Sequence, residues 1–248
     1  MQINSKKTAF VIGTGPSLNT IDVKKLSDYD CVTFNRAYIA FDDWGFVPRY
    51  YLSIDGNDIR SMYKDINLLV KKHKNTDFFV VDDPSNNIHP EDSFQDCEKK
   101  DFLFDYNQPN LHNFEYFYGR PIQGNAGYMG VKLLEALGYR NIGFVGCDCH
   151  YLDDDEYNKD ITIRGNEYIS HADTDMNHFR KDYFGKGMHF GSPNPDEILA
   201  IWEQGLKKDR AANLNVFSCT PDSPLNKFCD YIDFEDFIRK DKLQTLLY

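Results

Sequence analysis

The sequence predicts an α/β fold: a Rossmann-like, doubly wound and mostly parallel sheet with a loop-rich lid inserted into it. Short apolar runs rich in β-branched and aromatic residues alternate with longer segments of helical periodicity. Strands separated by helices favour parallel pairing, with helices covering both faces of the sheet. The 248 residues are enough for one such unit. We therefore expect a single nucleotide-binding domain over residues 1–248, with the lid-like insertion at 150–195.

Six strand-like runs carry this prediction, at residues 10–12, 31–34, 50–54, 78–81, 141–145 and 216–219. Each is short and apolar and is followed by residues that favour a turn. Because the carboxyl ends of parallel strands meet at one edge of a sheet, we expect the residues after these strands to lie close together.

Four segments have the apolar spacing of helices, at residues 59–74, 128–137, 196–210 and 234–247. The segment at 128–137 has the clearest bounds, because Gly124-Asn125-Ala126-Gly127 precedes it and Gly138 follows it as a C-cap. Residues 84–118 are polar, aromatic and weakly periodic, which favours an irregular crossover.

The composition excludes several classes of protein. A net charge of -11 argues against a binder of nucleic acid, which needs a basic face. No apolar run approaches the length of a membrane span and no signal peptide is evident, so we expect a cytoplasmic protein with at most peripheral membrane contact. The six cysteines lack zinc-ligand spacing, so we expect reduced thiols and no metal site built from them.

The turn after the first strand, Gly13-Thr14-Gly15-Pro16-Ser17, points to nucleotide binding. It does not match a Walker loop, because no Gly-Lys-Ser/Thr ending is present. Leu18 stands where the dinucleotide-binding pattern has its third glycine. Pro16 also removes an amide that could have met a phosphate. We therefore expect a nucleotide that is neither ATP in a P-loop nor NAD.

Glycines and residues with amide or carboxylate side chains lie directly after other predicted strands or directly before a predicted helix. These residues are Asn35, Asp55, Gly124, Asn125, Ala126, Gly146 and Asp148. Such residues also cap helices and satisfy turn geometry, so each has a structural explanation of its own. Their shared position at one sheet edge favours a binding site.

Four of these motifs resemble the bacterial sialyltransferases of glycosyltransferase family 42. They are G-T-G-P-S-L at 13–18, F-N at 34–35, G-N-A-G-Y-M at 124–129 and G-C-D at 146–148. The same skeleton resembles the DUF115 group, which is similar to archaeal 6-hydroxymethylpterin diphosphokinase. The segments D-M-N-H-F at 175–179 and D-Y-F-G at 182–185 resemble DUF115-like proteins of bacterial surface-polysaccharide loci.

The sialyltransferase resemblance implies an enzyme that transfers a sugar, such as a sialic or another nonulosonic acid. The donor would be CMP-activated, the acceptor a surface glycan or glycolipid, and no cofactor would be required. Residues that would surround the nucleotide are Gly13, Gly15 and Ser17, with Thr14 in place of a family asparagine. Asn35 would contact the CMP donor. Asn125 takes the place of a family serine, and Asp148 that of a family aspartate.

The resemblance also implies a general base in the lid. His189 matches the family histidine by position, whereas His178 has the stronger local motif. A histidine suits this role because its pKa lies near working pH. His150 stands where the family has a tyrosine that assists the leaving phosphate, and Tyr151 and Tyr157 are substitutes for it.

Two other functions remain open from the sequence. Asp55 replaces a family amide, and a carboxylate there favours a Mg²⁺-dependent diphosphotransferase with Asp55 and Asp148 beside the metal. A non-catalytic nucleotide-binding protein of polysaccharide assembly is the third candidate. The aromatic segment 102–118 suits an acceptor wall, a subunit contact or the core, so a homo-oligomer also stays open.

Overall fold

The computed structural model describes residues 8–54, 56–80, 125–151, 161–164, 167–191 and 194–246. In chain order the strands are β1 (Thr8–Ile12), β2 (Asp30–Phe34), β3 (Tyr50–Ser53), β4 (Asp77–Val80), β5 (Asn141–Val145), β6 (Ile161–Arg164), β7 (Glu167–Ser170), β8 (His189–Gly191), β9 (Asn215–Ser218) and β10 (Asp230–Tyr231). Within these ranges the helices are α1 (Phe41–Trp44), α2 (Gly56–Lys72), α3 (Ala126–Ala136), α4 (Pro195–Ala211) and α5 (Phe234–Leu246), and short 3₁₀ turns lie between β1 and β2, between β2 and α1, and between β9 and β10.

Seven strands form one parallel sheet in the order β10-β9-β5-β1-β2-β3-β4. Strand β1 lies between β2 and β5, with Ile12 opposite Thr33 on one side and Val145 on the other. The chain winds outward from β1 in both directions, so the topological switch point lies between β1 and β5. Ligands bind outside the carboxyl ends of the strands at such a point. The predicted doubly wound, mostly parallel α/β fold is confirmed.

The two faces of the sheet carry separate cores because alternate strand residues point to opposite sides. Phe10 and Ile12 belong to the core that includes residues of α2 and α5. Ala9 and Val11 belong to the core that includes residues of α3 and α4. Both faces of the sheet are therefore covered by helices, as a parallel sheet requires.

A buried polar network joins α3 to α4. Lys132 Nζ donates to Asp209 Oδ1 at 2.7 Å, and the Tyr128 hydroxyl donates to Asp209 Oδ2 at 3.1 Å. Burial raises the pKa of Asp209, and the bonds from Lys132 and Tyr128 oppose that shift. Gly205 lies against the Tyr128 ring, where a Cβ atom would overlap it. These contacts fix how α3 sits along α4.

The lid insertion contains regular structure that its sequence does not predict. Strands β6, β7 and β8 form an antiparallel sheet, and β8 lies against α2. Each strand has only three or four residues, too few to show an alternating pattern. Residues 175–184, here called the docked segment, insert three side chains into a core of the main sheet: Phe179, Tyr183 and Phe184.

The six strand-like runs of the sequence correspond to β1–β5 and β9, and the four helical segments to α2–α5. Predicted residues Asp55, Gly124 and Tyr157 and the aromatic segment 102–118 lie outside the described residues. Within the described ranges, we find no helix with the length and apolar character needed to span a membrane.

Candidate active site

The turn after β1 is held against the end of β5 by backbone hydrogen bonds. The Gly13 amide donates to the Val145 carbonyl and the Gly15 amide to the Gly146 carbonyl, both at 2.8 Å. The amide and hydroxyl of Ser17 donate to the two carboxylate oxygens of Asp148, at 3.2 and 2.7 Å. The amides of Gly13, Gly15 and Ser17, which the sequence predicts to face a ligand, are therefore hydrogen-bonded within the protein.

The close approach of these two strand ends explains the glycines. A Cβ atom on Gly13 would overlap the backbone of Gly146, and one on Gly15 would overlap the Asp148 carboxylate. From the sequence alone, these glycines are expected to let a phosphate approach the backbone. The structure gives them a different reason, which is contact between two segments of the protein.

Replacing Ser17 by alanine is expected to lower the free energy of unfolding by about 1–2 kcal/mol, since the lost hydrogen bond has a charged acceptor and is partly buried. Chemical denaturation measures the change. Thr20→Ala is the matched control, because its hydroxyl donates to the Ser17 carbonyl in an exposed setting. Equal losses in both variants would contradict a special role for the Ser17–Asp148 bond.

Asn35, directly after β2, has a positive φ of 50°, which is uncommon outside glycine. Its Nδ2 donates to Asp58 Oδ2 at 2.7 Å, and its carbonyl accepts the Tyr51 hydroxyl at 2.6 Å. The Ser53 hydroxyl donates to Asn35 Oδ1 at 3.3 Å. Unfavourable backbone conformations persist where surrounding contacts impose them, and they cluster at functional sites.

The docked segment contains an aspartate–histidine pair. The His178 Nδ1 and Asp175 Oδ2 atoms are 2.8 Å apart, and both side chains are largely buried. Because an ionised carboxylate only accepts hydrogen bonds, Nδ1 carries the proton and Nε2 is the basic nitrogen. The Tyr183 ring stacks on the imidazole, with centroids 4.0 Å apart and planes within 6°. The orientation of the imidazole is therefore fixed from two sides.

Hydrogen bonds place this pair beside the strand ends. The Phe179 amide donates to the Thr14 carbonyl at 2.9 Å, and Asn19 Nδ2 donates to the Phe179 carbonyl at 2.7 Å. The Arg36 amide donates to the Tyr183 hydroxyl at 3.2 Å, and Arg36 Nη1 to the Tyr183 carbonyl at 2.5 Å. The docked segment thus contacts the residues that follow both β1 and β2.

Two tyrosines at this edge remain protonated and can act as donors. Burial and the nearby Asp58 carboxylate raise the pKa of Tyr183, although a hydrogen bond with Thr14 opposes the shift. Burial, followed by the neighbouring Cys149, Asp58 and Asp175, raises the pKa of Tyr151. Neutral phenols beside carboxylates suit hydrogen bonding to a developing negative charge.

Asn125 caps the amino end of α3, which begins at Ala126. Its Oδ1 accepts two hydrogen bonds, from the Tyr128 amide at 2.7 Å and from Trp202 Nε1 at 2.9 Å. The carbonyl side of this amide is therefore used inside the protein, and among the described residues Nδ2 is the side that remains for a ligand.

The other predicted histidines have different surroundings. His189 lies in β8, where its amide and carbonyl bond the Ser61 hydroxyl of α2 at 3.1 and 3.0 Å. The His150 side chain is exposed, with Nδ1 3.2 Å from the Asp148 carbonyl. The described residues contain no group of three or more His, Cys, Asp or Glu arranged to hold a metal ion.

Two residues of this edge were not predicted as site residues: Asp175 and Tyr183. Asp175 could have been found, because D-x-x-H spacing puts a carboxylate within reach of the histidine. The contact between Asp58 and Asn35 could not be predicted, because it depends on the order of β2 and β3.

The chain is similar to known proteins in family and in fold. A family model described as 6-hydroxymethylpterin diphosphokinase MptE-like matches residues 1–154. No match was found among curated proteins. The resemblance inferred from the sequence motifs is confirmed at the level of family and fold.

Solved structures with the same fold include the sialyltransferase CstII from Campylobacter jejuni in complex with cytidine-5'-monophosphate. The TM-score is 0.52 at 16% identity, over 92% of this chain and 86% of that one. CstII in complex with CMP-3FNeuAc gives the same TM-score at 15% identity, over 91% of this chain and 86% of that one. A MAf glycosyltransferase from Magnetospirillum magneticum AMB-1 gives 0.52 at 13% identity, over 98% of this chain but 37% of that one.

Proposed function

The chain belongs to the 6-hydroxymethylpterin diphosphokinase MptE-like family, and we propose that within it this protein is a glycosyltransferase with a nucleotide-activated donor. It transfers a sialic or another nonulosonic acid from a CMP-linked donor to a hydroxyl of a surface glycan or glycolipid. The observation that carries the proposal is the Asp175–His178 pair at the carboxyl edge of the sheet, beside Thr14 and Asn35.

Glycosyl transfer needs a base for the acceptor hydroxyl. In the proposed reaction His178 Nε2 takes that proton while the acceptor oxygen bonds to the anomeric carbon of the sugar. The bond from this carbon to the phosphate oxygen breaks, and CMP leaves with the electron pair. Asp175 holds the imidazole in the required tautomer and stabilises its protonated form, as the carboxylate of a catalytic triad does.

The leaving phosphate gains negative charge in this reaction. Tyr183 and Tyr151 are protonated donors at the same edge, and the raised pKa of each phenol keeps it neutral. We assign them the stabilisation of the leaving phosphate, in place of the tyrosine that the resemblance puts at His150. No cofactor is required for this chemistry.

The extent of the comparisons favours a sugar transferase over a diphosphotransferase. The family match ends at residue 154, before the docked segment, whereas the likeness to CstII extends over 92% of the chain. The base that we propose lies beyond residue 154, in the part of the chain that the family match does not include. His189 remains the alternative base, since it is the positional match to the family histidine.

A diphosphotransferase is the second candidate, because the family description names that activity. Magnesium would need carboxylates with open coordination positions. Both oxygens of Asp148 accept bonds from Ser17, and Asp58 Oδ2 accepts a bond from Asn35. Of the two carboxylates that the sequence places beside the metal, Asp148 is engaged by a protein donor, and Asp55 lies outside the described residues.

Calorimetric titration with CMP, CDP, UDP, GDP and ATP, each with and without Mg²⁺, tests the proposal. We expect CMP to bind without metal. If ATP is the one nucleotide of the series that binds, and if it binds only in the presence of Mg²⁺, the second candidate replaces the proposal. Binding of CMP without turnover of CMP-N-acetylneuraminic acid in the presence of oligosaccharide acceptors would indicate the non-catalytic role instead.

A further inference from the structure

We propose that Trp202 is a positioning residue for nucleotide binding: it fixes the Asn125 amide so that Nδ2 faces the nucleotide. The inference rests on the proposed function, since it assumes that a nucleotide binds at the carboxyl edge of the sheet. Trp202 lies in α4, 77 residues beyond Asn125, and its side chain is fully buried.

The chemistry of the contact sets the orientation of the amide. An indole N–H can only donate, so the atom 2.9 Å from Trp202 Nε1 must be the acceptor oxygen of Asn125. The Tyr128 amide, a second donor, is 2.7 Å from the same oxygen. A flipped amide would turn its own N–H groups toward two donors. Asn125 therefore presents Nδ2, which suits an acceptor oxygen of the nucleotide.

Packing keeps Trp202 in place. Its ring meets Tyr128 of α3 edge-on at 5.4 Å between centroids and contacts Phe144 of β5 at 5.0 Å. The buried Lys132–Asp209 pair fixes the same two helices further along their length. The strand that Trp202 touches, β5, is the one that Gly146 and Asp148 follow. The amide is thus oriented before a ligand arrives, which lowers the entropy cost of binding.

The test compares two variants of the α3–α4 interface. Trp202→Phe keeps an aromatic ring but loses the N–H group, and we expect the Kd for CMP to rise about three- to tenfold. Tyr128→Phe is the matched control: it removes the hydroxyl bond to Asp209 from the same interface and leaves the Asn125 side chain untouched. We expect that variant to bind CMP as the wild type does.

A double-mutant cycle separates positioning from loss of stability. Asn125→Ser keeps a good N-cap and a hydroxyl donor but has no amide to orient. In the Asn125→Ser background, Trp202→Phe should leave the Kd for CMP unchanged. Chemical denaturation of all four proteins shows whether each is folded during the titration.

Three outcomes would overturn the inference while wild-type protein still binds CMP. They are wild-type affinity in Trp202→Phe, an equal loss in Tyr128→Phe, and an undiminished effect of Trp202→Phe in the Asn125→Ser background. If the wild-type protein binds no CMP, the proposed function fails and the inference fails with it.

Discussion

Substitution of His178 by alanine is expected to lower turnover of a CMP-activated sugar by about 100- to 10,000-fold and to leave CMP affinity nearly unchanged. The base acts on the acceptor hydroxyl, so its loss affects the chemical step rather than nucleotide binding. The release of CMP from CMP-N-acetylneuraminic acid, measured with oligosaccharide acceptors, gives the rate. Calorimetry with CMP gives the affinity.

Two further histidines of the insertion supply the controls. His171→Ala removes an exposed imidazole near the docked segment and should keep turnover. His189→Ala tests the positional candidate. Loss of turnover in His189→Ala, with activity retained in His178→Ala, would assign the base to β8 and contradict our proposal.

The Asp175 carboxylate should matter through His178. Asp175→Asn keeps the size of the side chain but can offer an N–H to Nδ1, which favours the tautomer with Nε2 protonated. We expect turnover to fall and its pH profile to change, with CMP affinity retained. Asp175 also accepts the Asn177 and Phe184 amides, at 2.8 and 3.2 Å, so the unfolding free energy must be measured alongside.

Replacing Gly13 by alanine is expected to reduce the free energy of unfolding by about 3 kcal/mol or more. The added methyl group would overlap the carbonyl of Gly146 and press on Cys147 Sγ. The backbone of Gly146 cannot rotate away as a side chain can, and the bond from the Gly13 amide to Val145 would be strained. For a chain of this length the expected fall in Tm is about 6–12 °C.

Gly185→Ala is the matched control, because no described atom lies within 4 Å of the Cβ position there. Gly15→Ala should fall between the two, since the Asp148 side chain can move at the cost of its Ser17 bonds. Thermal and chemical unfolding of the three variants measure the series. A stable Gly13→Ala variant that fails to bind CMP would instead support the phosphate-binding explanation of the glycine.

The main sheet could be predicted from the sequence because its signals are local. Residues 141–145 form an apolar run with a helix-capping glycine before it at Gly138, and the structure places β5 there. The small lid sheet could not be predicted, because strands as short as His189–Gly191 are specified by contacts with α2 rather than by their own pattern.

For the candidate site, the sequence indicated where its residues lie relative to strands and helices, but not which residues they contact. Asn35 and Asn125 were identified by position after a strand and before a helix. Their partners depend on strand order and helix packing. Asp58, which accepts a hydrogen bond from Asn35, lies in α2, after the neighbouring strand β3. Trp202 donates to Asn125 across the α3–α4 interface. The sequence places Gly13 and Gly15 in the turn after β1, as the structure does, but the reason for them lies in the residues that follow β5.

The docking of residues 175–184 has a consequence for how the protein evolves. Phe179 and Tyr183 serve the hydrophobic core, while His178, directly before Phe179, serves the proposed chemistry. Within residues 175–184, Asp175 and Tyr183 serve both the fold and the proposed chemistry, so His178 is the position where the chemistry can be lost with the least change to the core. A descendant that lost activity would be free to change that one position, yet would have to keep its neighbours. The local sequence around the base would outlast the reaction, and a D-M-N-x-F pattern with the histidine replaced would mark a member that had become inactive.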